Sequence, residues 1–247
     1  MLIGNADVQI LAKSAPNVSA FSDTPLSFGE VTCFQLTAEM PNSAREAVLP
    51  PALHPTIPAA LSVQAYEVGE SPWGAFKFVT VRVSCRSGVR ARGFTTATVV
   101  NQAPASTGLS SSLGYPCQVG EIYFRHGYDG VSLEVILDQQ SVLNINAIDP
   151  EPMGPDDVQY TGTLNLAHTT MGLRLLQIEA QTTSRQVDRL QARLLNFDGT
   201  AWGNSLLKPS RVIAASVAKL SLTFPPVRFV CKPDELAFTG TEAVNAD

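Results

Sequence analysis

The sequence predicts a mainly β protein with some helix (α+β), and two features of its 247 residues support that prediction. Seventeen prolines and seventeen glycines interrupt mostly short apolar runs, a pattern typical of sheets and turns and not of a helical bundle. Several of those runs alternate apolar and polar residues, as strands with one buried face do. With 45% hydrophobic and only 16% charged residues, the chain has enough apolar side chains for a large core.

The elements follow in chain order. Residues 1–30 are polar and turn-rich, and we expect them to wrap the body as an N-terminal arm. A brief helix is expected over 41–51, because Asn42 or Ser43 could cap its start and the Pro50-Pro51 pair would end it. Apolar runs and turn signals predict strands at 61–67, 76–85, 89–100, 120–125, 131–137, 141–147, 160–167, 173–180, 212–222 and 227–231, with the last two forming a pair.

Two stretches near the C-terminus are less regular. Residues 187–196 alternate imperfectly, so that a strand and a short helix both remain open. Residues 236–247 are expected to form a flexible tail. The chain shows no internal repeat, and we expect residues 1–247 to form a single domain.

Charge excludes one class of partner. A net charge of −5 and an isoelectric point near 5.2 argue against nucleic-acid binding, which needs a basic surface. The basic cluster of Arg82, Arg86, Arg90 and Arg92 alternates along a predicted hairpin, and we expect it to face solvent.

The cysteines and the N-terminus bear on metal sites and compartment. The four cysteines are widely spaced, with no CxxC pair and no histidine nearby in sequence, so neither a metal site nor another cofactor is expected. The first residues lack a basic region followed by an apolar core, and no run approaches the length of a membrane span. A cytoplasmic protein with free thiols and no membrane contact is the expectation.

The segment Gly114-Tyr115-Pro116-Cys117-Gln118-Val119-Gly120 combines a constrained turn with the start of a strand. Proline fixes φ and glycine permits close backbone approach, so the two side chains after Pro116 should be held in a defined direction. This segment resembles the G-[YF]-P-K-K-[LV]-[AG] signature of the acetoacetate decarboxylase family. In that pattern the first lysine forms a Schiff base with a keto acid, and the second lowers the pKa of the first.

The resemblance extends to three other segments, in the same order along roughly residues 40–235. Leu49 to Pro55 is similar to the family's LPP-x-L-x-P segment, Gly74 to Phe78 to its G-x-Y-x-E strand, and Ala201 to Leu222 to its W-x-G segment. The resemblance implies a closed antiparallel β barrel, often described as a cone, with a few short peripheral helices. It also implies a homo-oligomer, at least a dimer.

The family's defining chemistry is absent from this chain. Cys117 and Gln118 stand at the two lysine positions, and neither side chain can form an iminium. The family's pocket glutamate falls at Phe78, and its G-R-E segment reads Leu109-Ser110-Ser111. Lys77 is adjacent to Phe78, but strand alternation points it to the opposite face. The resemblance therefore implies a divergent member without the Schiff-base lysine.

Three residues are candidates for catalysis. Cys117 is either a small wall residue or, with a nearby base, a nucleophile. Gln118 either hydrogen-bonds a substrate carbonyl or is satisfied by backbone. His168, in a predicted turn, is either exposed or, if folded inward, the best general base available.

The remaining candidates form a substrate-binding wall. They are Phe76, Phe78, Tyr115, Ser111 and Leu113. The aromatic residues would give an apolar cavity, with Tyr115 packing and its hydroxyl tied to backbone. The run Ser110 to Ser112 is expected in a loop, either solvated or acting as a hydrogen-bonding wall.

Three functions are compatible with these residues. The first is a lysine-independent enzyme that acts on a polyketide-like or β-dicarbonyl small molecule by positioning and hydrogen bonds, as a cyclase or lyase of secondary metabolism. The second is a non-catalytic protein, a pseudoenzyme, that binds an apolar small molecule in the same cavity. The third is a barrel filled by side chains, with function at the surface.

Overall fold

The computed structural model describes residues 2–244, which form sixteen strands and four α-helices. The helices are α1 (Val8–Ala12), α2 (Asn42–Val48), α3 (Ala103–Leu113) and α4 (Ala237–Gly240). The strands are β1 (Asn17–Val18), β2 (Leu26–Glu39), β3 (His54–Pro55), β4 (Ala60–Glu70), β5 (Phe76–Ser87), β6 (Arg90–Val100), β7 (Cys117–Val119), β8 (Glu121–Gly127), β9 (Gly130–Leu137), β10 (Gln140–Pro152), β11 (Gly162–Thr169), β12 (Gly172–Ile178), β13 (Gln181–Phe197), β14 (Val212–Phe224), β15 (Phe229–Cys231) and β16 (Thr241–Ala243).

All sixteen strands belong to one sheet, whose main path runs β16-β15-β12-β11-β6-β5-β4-β2-β14-β13-β10-β9-β8. The sheet is mixed, because β1 and β6 each pair in parallel with β11, and β7 pairs in parallel with β6. The predicted mainly β class with short helices is confirmed. The predicted closed antiparallel barrel is not confirmed, because the described strand ladders leave the sheet open.

The last strand of this path, β8, approaches β5 and β6 without a ladder. Lys77 Nζ on β5 donates to the Phe124 carbonyl on β8 over 3.1 Å. The backbone N–H of Gly120, just before β8, donates to the Val100 carbonyl over 3.1 Å. Isolated contacts, one of them from a lysine side chain, therefore hold the seam between the β8 end of the main path and strands β5 and β6 in its middle.

Two apolar cores lie on opposite faces of the central strands. Successive strand residues point to opposite faces, so β4 and β5 contribute alternate side chains to each core. The larger core contains Leu36, Val63 and Val81. The smaller core is richer in aromatic residues, among them Phe28, Phe76, Phe78 and Tyr115, and is joined by Leu109 of α3.

Helix α3 has no counterpart among the predicted elements. Its sequence, Ala103 to Leu113, contains five serine or threonine residues and a glycine, which favour turns over helix interiors. Pro104 lies in its first turn, and Gly114 ends it with φ of 68°, the left-handed conformation that glycine adopts most readily. The expectation of a loop at Ser110 to Ser112 is therefore wrong. The predicted helix over 41–51 is present as α2, but without a side-chain cap.

The C-terminal strands also differ from the sequence-based expectation. Residues 187–196, for which the sequence is compatible with either a strand or a short helix, form part of the longer strand β13. The predicted pairing of 212–222 with 227–231 is wrong, because β14 lies between β2 and β13 while β15 lies between β12 and β16. The backbone path between those two strands crosses to the opposite end of the sheet.

The two ends of the chain lie against the body where the structure describes them. In the predicted arm, α1 precedes β1, and β1 pairs with β11 at His168 and Thr169. In the predicted tail, α4 and β16 form, with β16 paired to β15, and residues 245–247 lie outside the described residues. No helix within residues 2–244 is both long and apolar enough to cross a membrane.

The arginine cluster of the β5–β6 hairpin divides between solvent and interior. Arg86 and Arg90 are exposed, as expected, but Arg82 and Arg92 are only 3% and 7% exposed. The expectation fails at these two because they lie away from the turn, where consecutive residues of β5 and β6 are buried on both faces. Arg92 is paired with Glu179 of the β12–β13 connection.

Candidate functional site

A set of polar side chains lies on the face of the sheet that contributes to the smaller core. We call it the polar face: Gln64, Thr80, Arg82, Thr95, Thr98 and Thr163. The strand register brings its members together, because Thr80 is opposite both Gln64 on β4 and Thr98 on β6. Arg82 is opposite Thr95 of β6, and β11 continues the sheet beyond β6.

Arg82 is the charged member of the polar face. Its Nη1 donates to Thr163 Oγ1 over 2.7 Å and to the Thr161 carbonyl over 3.2 Å. Its Nε is buried and has no hydrogen-bond partner. Among residues 2–244 no carboxylate oxygen lies within 4.0 Å of the guanidinium. The interior therefore holds a positive charge without a counter-charge.

Gly93 makes room for this side chain. A Cβ on Gly93 would lie 3.1 Å from Arg82 Cβ and 3.2 Å from Arg82 Nε. Because a glycine stands there, the arginine stem crosses β6 in close contact with its backbone.

Three tyrosines surround a small cavity beside Arg82. The cavity measures about 20 Å³, and its lining includes Tyr66, Tyr115, Tyr160, Arg82 and Thr163. A space of this size holds about one water molecule. Any larger ligand needs side chains of the lining to move.

Several hydroxyls of this region are buried without a hydrogen-bond partner. They are Tyr160 Oη, whose polar neighbour is the weakly hydrogen-bonding thiol of Cys33, and the Oγ1 atoms of Thr80, Thr95 and Thr98. By contrast, Tyr66 Oη donates to Gln64 Oε1 over 2.7 Å. A buried polar group without a partner costs about 1–3 kcal/mol, so native proteins keep few of them. Their concentration on one face indicates a surface built to meet a polar ligand or water.

Burial keeps the acidic groups of the cavity region neutral. Desolvation raises the pKa of Cys33 to about 12, although Tyr66 and the charge of Arg82 oppose the shift. Burial likewise raises the pKa values of the Tyr66, Tyr115 and Tyr160 hydroxyls. At neutral pH these groups are therefore O–H and S–H donors, and Arg82 supplies the charge.

The predicted aromatic wall lies next to this cavity. Phe78 stacks on Tyr66 with ring centroids 4.4 Å apart and an interplanar angle of 9°. Phe76 stacks on Phe78 at 5.6 Å, and Tyr115 meets Phe78 edge-on at 6.4 Å. The structure thus brings together three of the predicted binding residues, Phe76, Phe78 and Tyr115.

Cys117 and Gln118 diverge from the turn that carries them. Cys117 is half-buried against the smaller core, and desolvation raises its pKa to about 11, so it is a thiol at neutral pH. Gln118 is exposed, and its Nε2 donates to the Ala201 carbonyl over 3.2 Å. The two positions that hold lysines in the family signature therefore face different surroundings, and neither carries an activated group.

The other predicted residues lie farther from Arg82 in the architecture. His168 Nε2 is 3.0 Å from the Ala12 carbonyl, and alternation along β11 places its side chain on the face opposite Thr163. Ser111 is exposed on α3. Leu113 is buried, and its carbonyl accepts a hydrogen bond from Asn165 Nδ2 over 2.8 Å.

Lys77 also lies apart from the polar face. Its Nζ is 3.0 Å from Glu67 Oε1, at the β5–β8 seam. The position agrees with strand alternation, which places Lys77 and Phe78 on opposite faces of β5.

Sequence reasoning missed Arg82, Tyr66, Tyr160 and Thr163. One signal was present in Val79-Thr80-Val81-Arg82-Val83, where threonine and arginine occupy alternate positions of an otherwise apolar strand. Such a pattern on a strand buried on both faces indicates polar groups in the interior.

The fold is shared with solved structures of acetoacetate decarboxylase-like enzymes. An acetoacetate decarboxylase from Legionella pneumophila is 15% identical, with a TM-score of 0.74 over 84% of this chain and 87% of that one. The enduracididine biosynthesis enzyme MppR, solved with the condensation product of pyruvate and imidazole 4-carboxaldehyde, is 16% identical, with a TM-score of 0.68 over 82% and 88%. An acetoacetate decarboxylase-like enzyme from Sphingomonas wittichii RW1 is 12% identical, with a TM-score of 0.64 over 83% and 92%.

Sequence comparison adds nothing to this likeness. No protein-family model matches the chain, and no curated protein sequence matches it. At these identities the structural neighbours show a common fold, and the chemistry has to be argued from the residues of this chain.

Proposed function

We propose that this chain is a lysine-independent enzyme of acetoacetate decarboxylase-like fold. Its substrate is a largely apolar β-dicarbonyl or polyketide-like small molecule, and its reaction is of the cyclase or lyase type found in secondary metabolism. The fold shared with acetoacetate decarboxylase-like enzymes supports the general class. The site is the cavity lined by Arg82, Thr163 and the three tyrosines, with Phe78 and Phe76 stacked behind Tyr66.

The observation that carries this proposal is the set of unpaired hydroxyls inside an aromatic core. A β-dicarbonyl that releases its central proton to water becomes an enolate, with negative charge shared between two oxygens. Donors already fixed toward that charge stabilise it more than water does, because they need no reorganisation. Tyr160 in the cavity lining and Thr98 on the polar face supply such donors, and no oxygen or nitrogen atom of the described residues is hydrogen-bonded to either hydroxyl.

The aromatic wall provides the other requirement, which is positioning. Holding a reactive chain in a near-attack shape can supply several kcal/mol of the barrier without covalent chemistry. Phe78 stacks on Tyr66, and Phe76 stacks on Phe78, so the three rings form a continuous aromatic layer. No lysine is among the residues of the cavity lining, so no step proceeds through an iminium.

Substrate entry requires the segment that covers the cavity to move. Tyr160 and Thr161 lie between β10 and β11 and contribute to the lining, with the Thr161 carbonyl hydrogen-bonded to Arg82. Displacing this segment would open the polar face toward solvent.

A second candidate is a non-catalytic protein that binds the same kind of molecule. It is favoured by the titration of the cavity groups, because burial raises the pKa values of Tyr66, Tyr115 and Tyr160 and leaves no base near neutrality among them. His168 is on the opposite face of its strand. Binding without turnover is what such a set of neutral donors produces.

The test uses acetylacetone, acetoacetate and longer 3,5-dioxo esters as probes, each followed by proton NMR with the intact protein. Binding accompanied by a chemical change establishes the enzyme. Binding with complete recovery of the probe establishes the second candidate. Failure of every probe to bind contradicts both. Sodium borohydride should leave the mass of the protein–probe mixture free of a covalent adduct, and an adduct would contradict the lysine-independent mechanism.

Two variants localise the site. Thr98→Val removes an unpaired hydroxyl of the polar face with little change of shape, and we expect it to weaken probe binding. Thr96→Val on the same strand is the matched control, because its Oγ1 donates to the Val81 carbonyl over 3.2 Å and is outside the polar face. Equal effects of the two substitutions would place the site elsewhere.

We further propose that the chain acts in the cytoplasm as a homo-oligomer, at least a dimer, with one domain per subunit. Four free cysteines support a reducing compartment. Light scattering at micromolar concentration tests the assembly, and a monomeric mass would contradict it.

A further inference from the structure

Three arginines are buried among residues 2–244, and they differ in how their charges are matched. Arg45 Nη2 lies 3.6 Å from Glu46 Oε1, and Arg92 is paired with Glu179. Arg82 is the most deeply buried of the three, at 3% exposure, and has no carboxylate within 4.0 Å among the described residues. Its charge alone is left without an opposite charge.

The groups around Arg82 are neutral hydrogen-bonding partners. Thr163 and the Thr161 carbonyl accept from Nη1, while Tyr66 and Tyr115 line the adjoining cavity. Because burial raises the pKa values of both tyrosines, neither becomes an anion at neutral pH. A buried ion without a counter-ion is costly, by several kcal/mol even after relaxation.

Hydrogen-bonding capacity remains on the guanidinium. An arginine carries five N–H donors, and Arg82 Nε is without a partner. The unpaired hydroxyl of Tyr160 lies in the same cavity lining. A charged donor and a neutral donor thus adjoin a single enclosed space.

We propose that Arg82 is the anion-binding subsite of the cavity, and that its ligand is a small organic monoanion bound through a carboxylate or enolate oxygen. This inference rests on the proposed function and adds to it the charge of the substrate. One uncompensated cation selects a single negative charge, because a dianion would leave a second charge in an apolar interior. Guanidinium groups suit planar oxyanions, which they bind through paired N–H donors.

The size of the cavity sets the order of probes. About 20 Å³ fits one water, so formate and acetate are the first carboxylates to try, and larger acids require Tyr160 and Thr161 to move. Acetylacetone is neutral when it enters and becomes a monoanion on losing its central proton. It therefore distinguishes an enolate ligand from a carboxylate ligand.

The experiment measures the melting temperature and, by calorimetric titration, the dissociation constant of the full chain with sodium formate, sodium acetate and acetylacetone. Formamide and acetamide are the neutral controls, and ionic strength is held constant with sodium chloride. We expect an anion to raise the melting temperature while the amides do not. We expect Arg82→Met to weaken anion binding at least tenfold, and Arg82→Lys, which keeps the charge, to weaken it less.

A comparison of variants separates a binding role from a structural one. Without ligand, Arg82→Met should melt at or above the wild-type temperature, because it removes an unmatched buried charge. Arg92→Met is the matched control: it breaks an ion pair, so we expect a lower melting temperature and unchanged anion affinity. The inference would be overturned by two results together. These are a fall in the melting temperature of Arg82→Met equal to that of Arg92→Met, and no anion binding by the wild type. Arg82 would then have a structural role.

The remaining outcomes distinguish this inference from the proposed function. Arg82-dependent acetate binding without turnover of any β-dicarbonyl supports the anion subsite and contradicts the enzyme. Equal turnover of a β-dicarbonyl by wild type and Arg82→Met supports the enzyme and overturns the subsite. Equal affinity for acetate and acetamide also overturns it. Binding of acetylacetone but not of acetate identifies the enolate as the ligand and supports the inference.

Discussion

Arg82 on β5 and Thr163 on β11 are joined by a hydrogen bond of 2.7 Å that spans the intervening strand β6. The guanidinium reaches Thr163 by passing over Gly93, where any side chain would meet it. This one contact sets the position of the charge in the cavity. It also links two strands that share no ladder.

Replacing Gly93 by alanine should disturb that crossing. The added Cβ would lie 3.1 Å from Arg82 Cβ, which is close to the backbone of β5 and has little freedom to move. Overpacking of this kind costs about 1–3 kcal/mol of unfolding free energy, measured by urea denaturation. We also expect the Gly93→Ala variant to lose anion binding. If Gly93→Ala kept the full anion affinity, the Arg82 side chain would be able to reach the cavity without passing close to residue 93.

The tyrosines offer a matched pair of hydroxyl deletions. Tyr66 Oη donates to Gln64, so Tyr66→Phe should lower the unfolding free energy by about 0.5–1.5 kcal/mol. Tyr160 Oη is buried without a partner, so Tyr160→Phe should leave stability unchanged or raise it while weakening ligand binding. A loss of stability in Tyr160→Phe equal to that in Tyr66→Phe would show that the Tyr160 hydroxyl is already satisfied.

Buried thiols predict a fall in stability at alkaline pH. The folded state raises the pKa values of Cys33 and Cys85 to about 12 and that of Cys117 to about 11, from a usual value of 9.0. The stabilisation from keeping these thiols neutral is fully present below pH 9.0 and is lost as pH rises toward 11 and 12. Each thiol contributes a slope of up to about 1.4 kcal/mol per pH unit.

Urea denaturation at pH 8, 9 and 10 measures this slope, and Cys33→Ala should reduce it. A slope that is the same in wild type and Cys33→Ala would contradict the assignment. Cys117 can be followed separately, because its alkylation by iodoacetamide, determined by peptide mass spectrometry, should be much slower in the folded than in the unfolded protein at pH 8.

The seam between β5 and β8 gives a prediction about stability alone. Lys77→Ala removes the donor to the Phe124 carbonyl and the ion pair with Glu67, and we expect a loss of about 1–2 kcal/mol in unfolding free energy. Anion affinity should be unchanged, since Lys77 and the polar face lie on opposite faces of β5. Lys208→Ala, at an exposed position, serves as the surface control. If Lys77→Ala and Lys208→Ala both left the unfolding free energy unchanged, the contacts of Lys77 would not be needed to stabilise the seam.

Strand positions were predictable from the sequence because alternation reflects the burial of one face at a time. Phe76, Phe78 and Tyr115 were identified through the family signature, and the structure groups them. Helix α3 was not predicted, because its serines and glycine match turns better than helices, and it forms by packing Leu109 into the smaller core.

The polar face could not be predicted from local patterns. Arg82 and Thr163 are 81 positions apart, and only the pairing of β6 with both β5 and β11 brings them together. An arginine in a hairpin is more often exposed, and Arg86 and Arg90 follow that rule. The exception depends on which face of the hairpin the rest of the chain covers.

One edge of β6 is divided between two partners: β11 pairs with residues 92–94 and β7 with residues 98–100. Both pairings are parallel, so each needs a long crossover, and the one to β11 closes a loop of more than sixty residues. Long loops slow folding because their closure entropy precedes any contact. The cavity beside Arg82 is lined by residues of β11 and β14, so we expect this site to close only after most of the sheet's sequence has been synthesised.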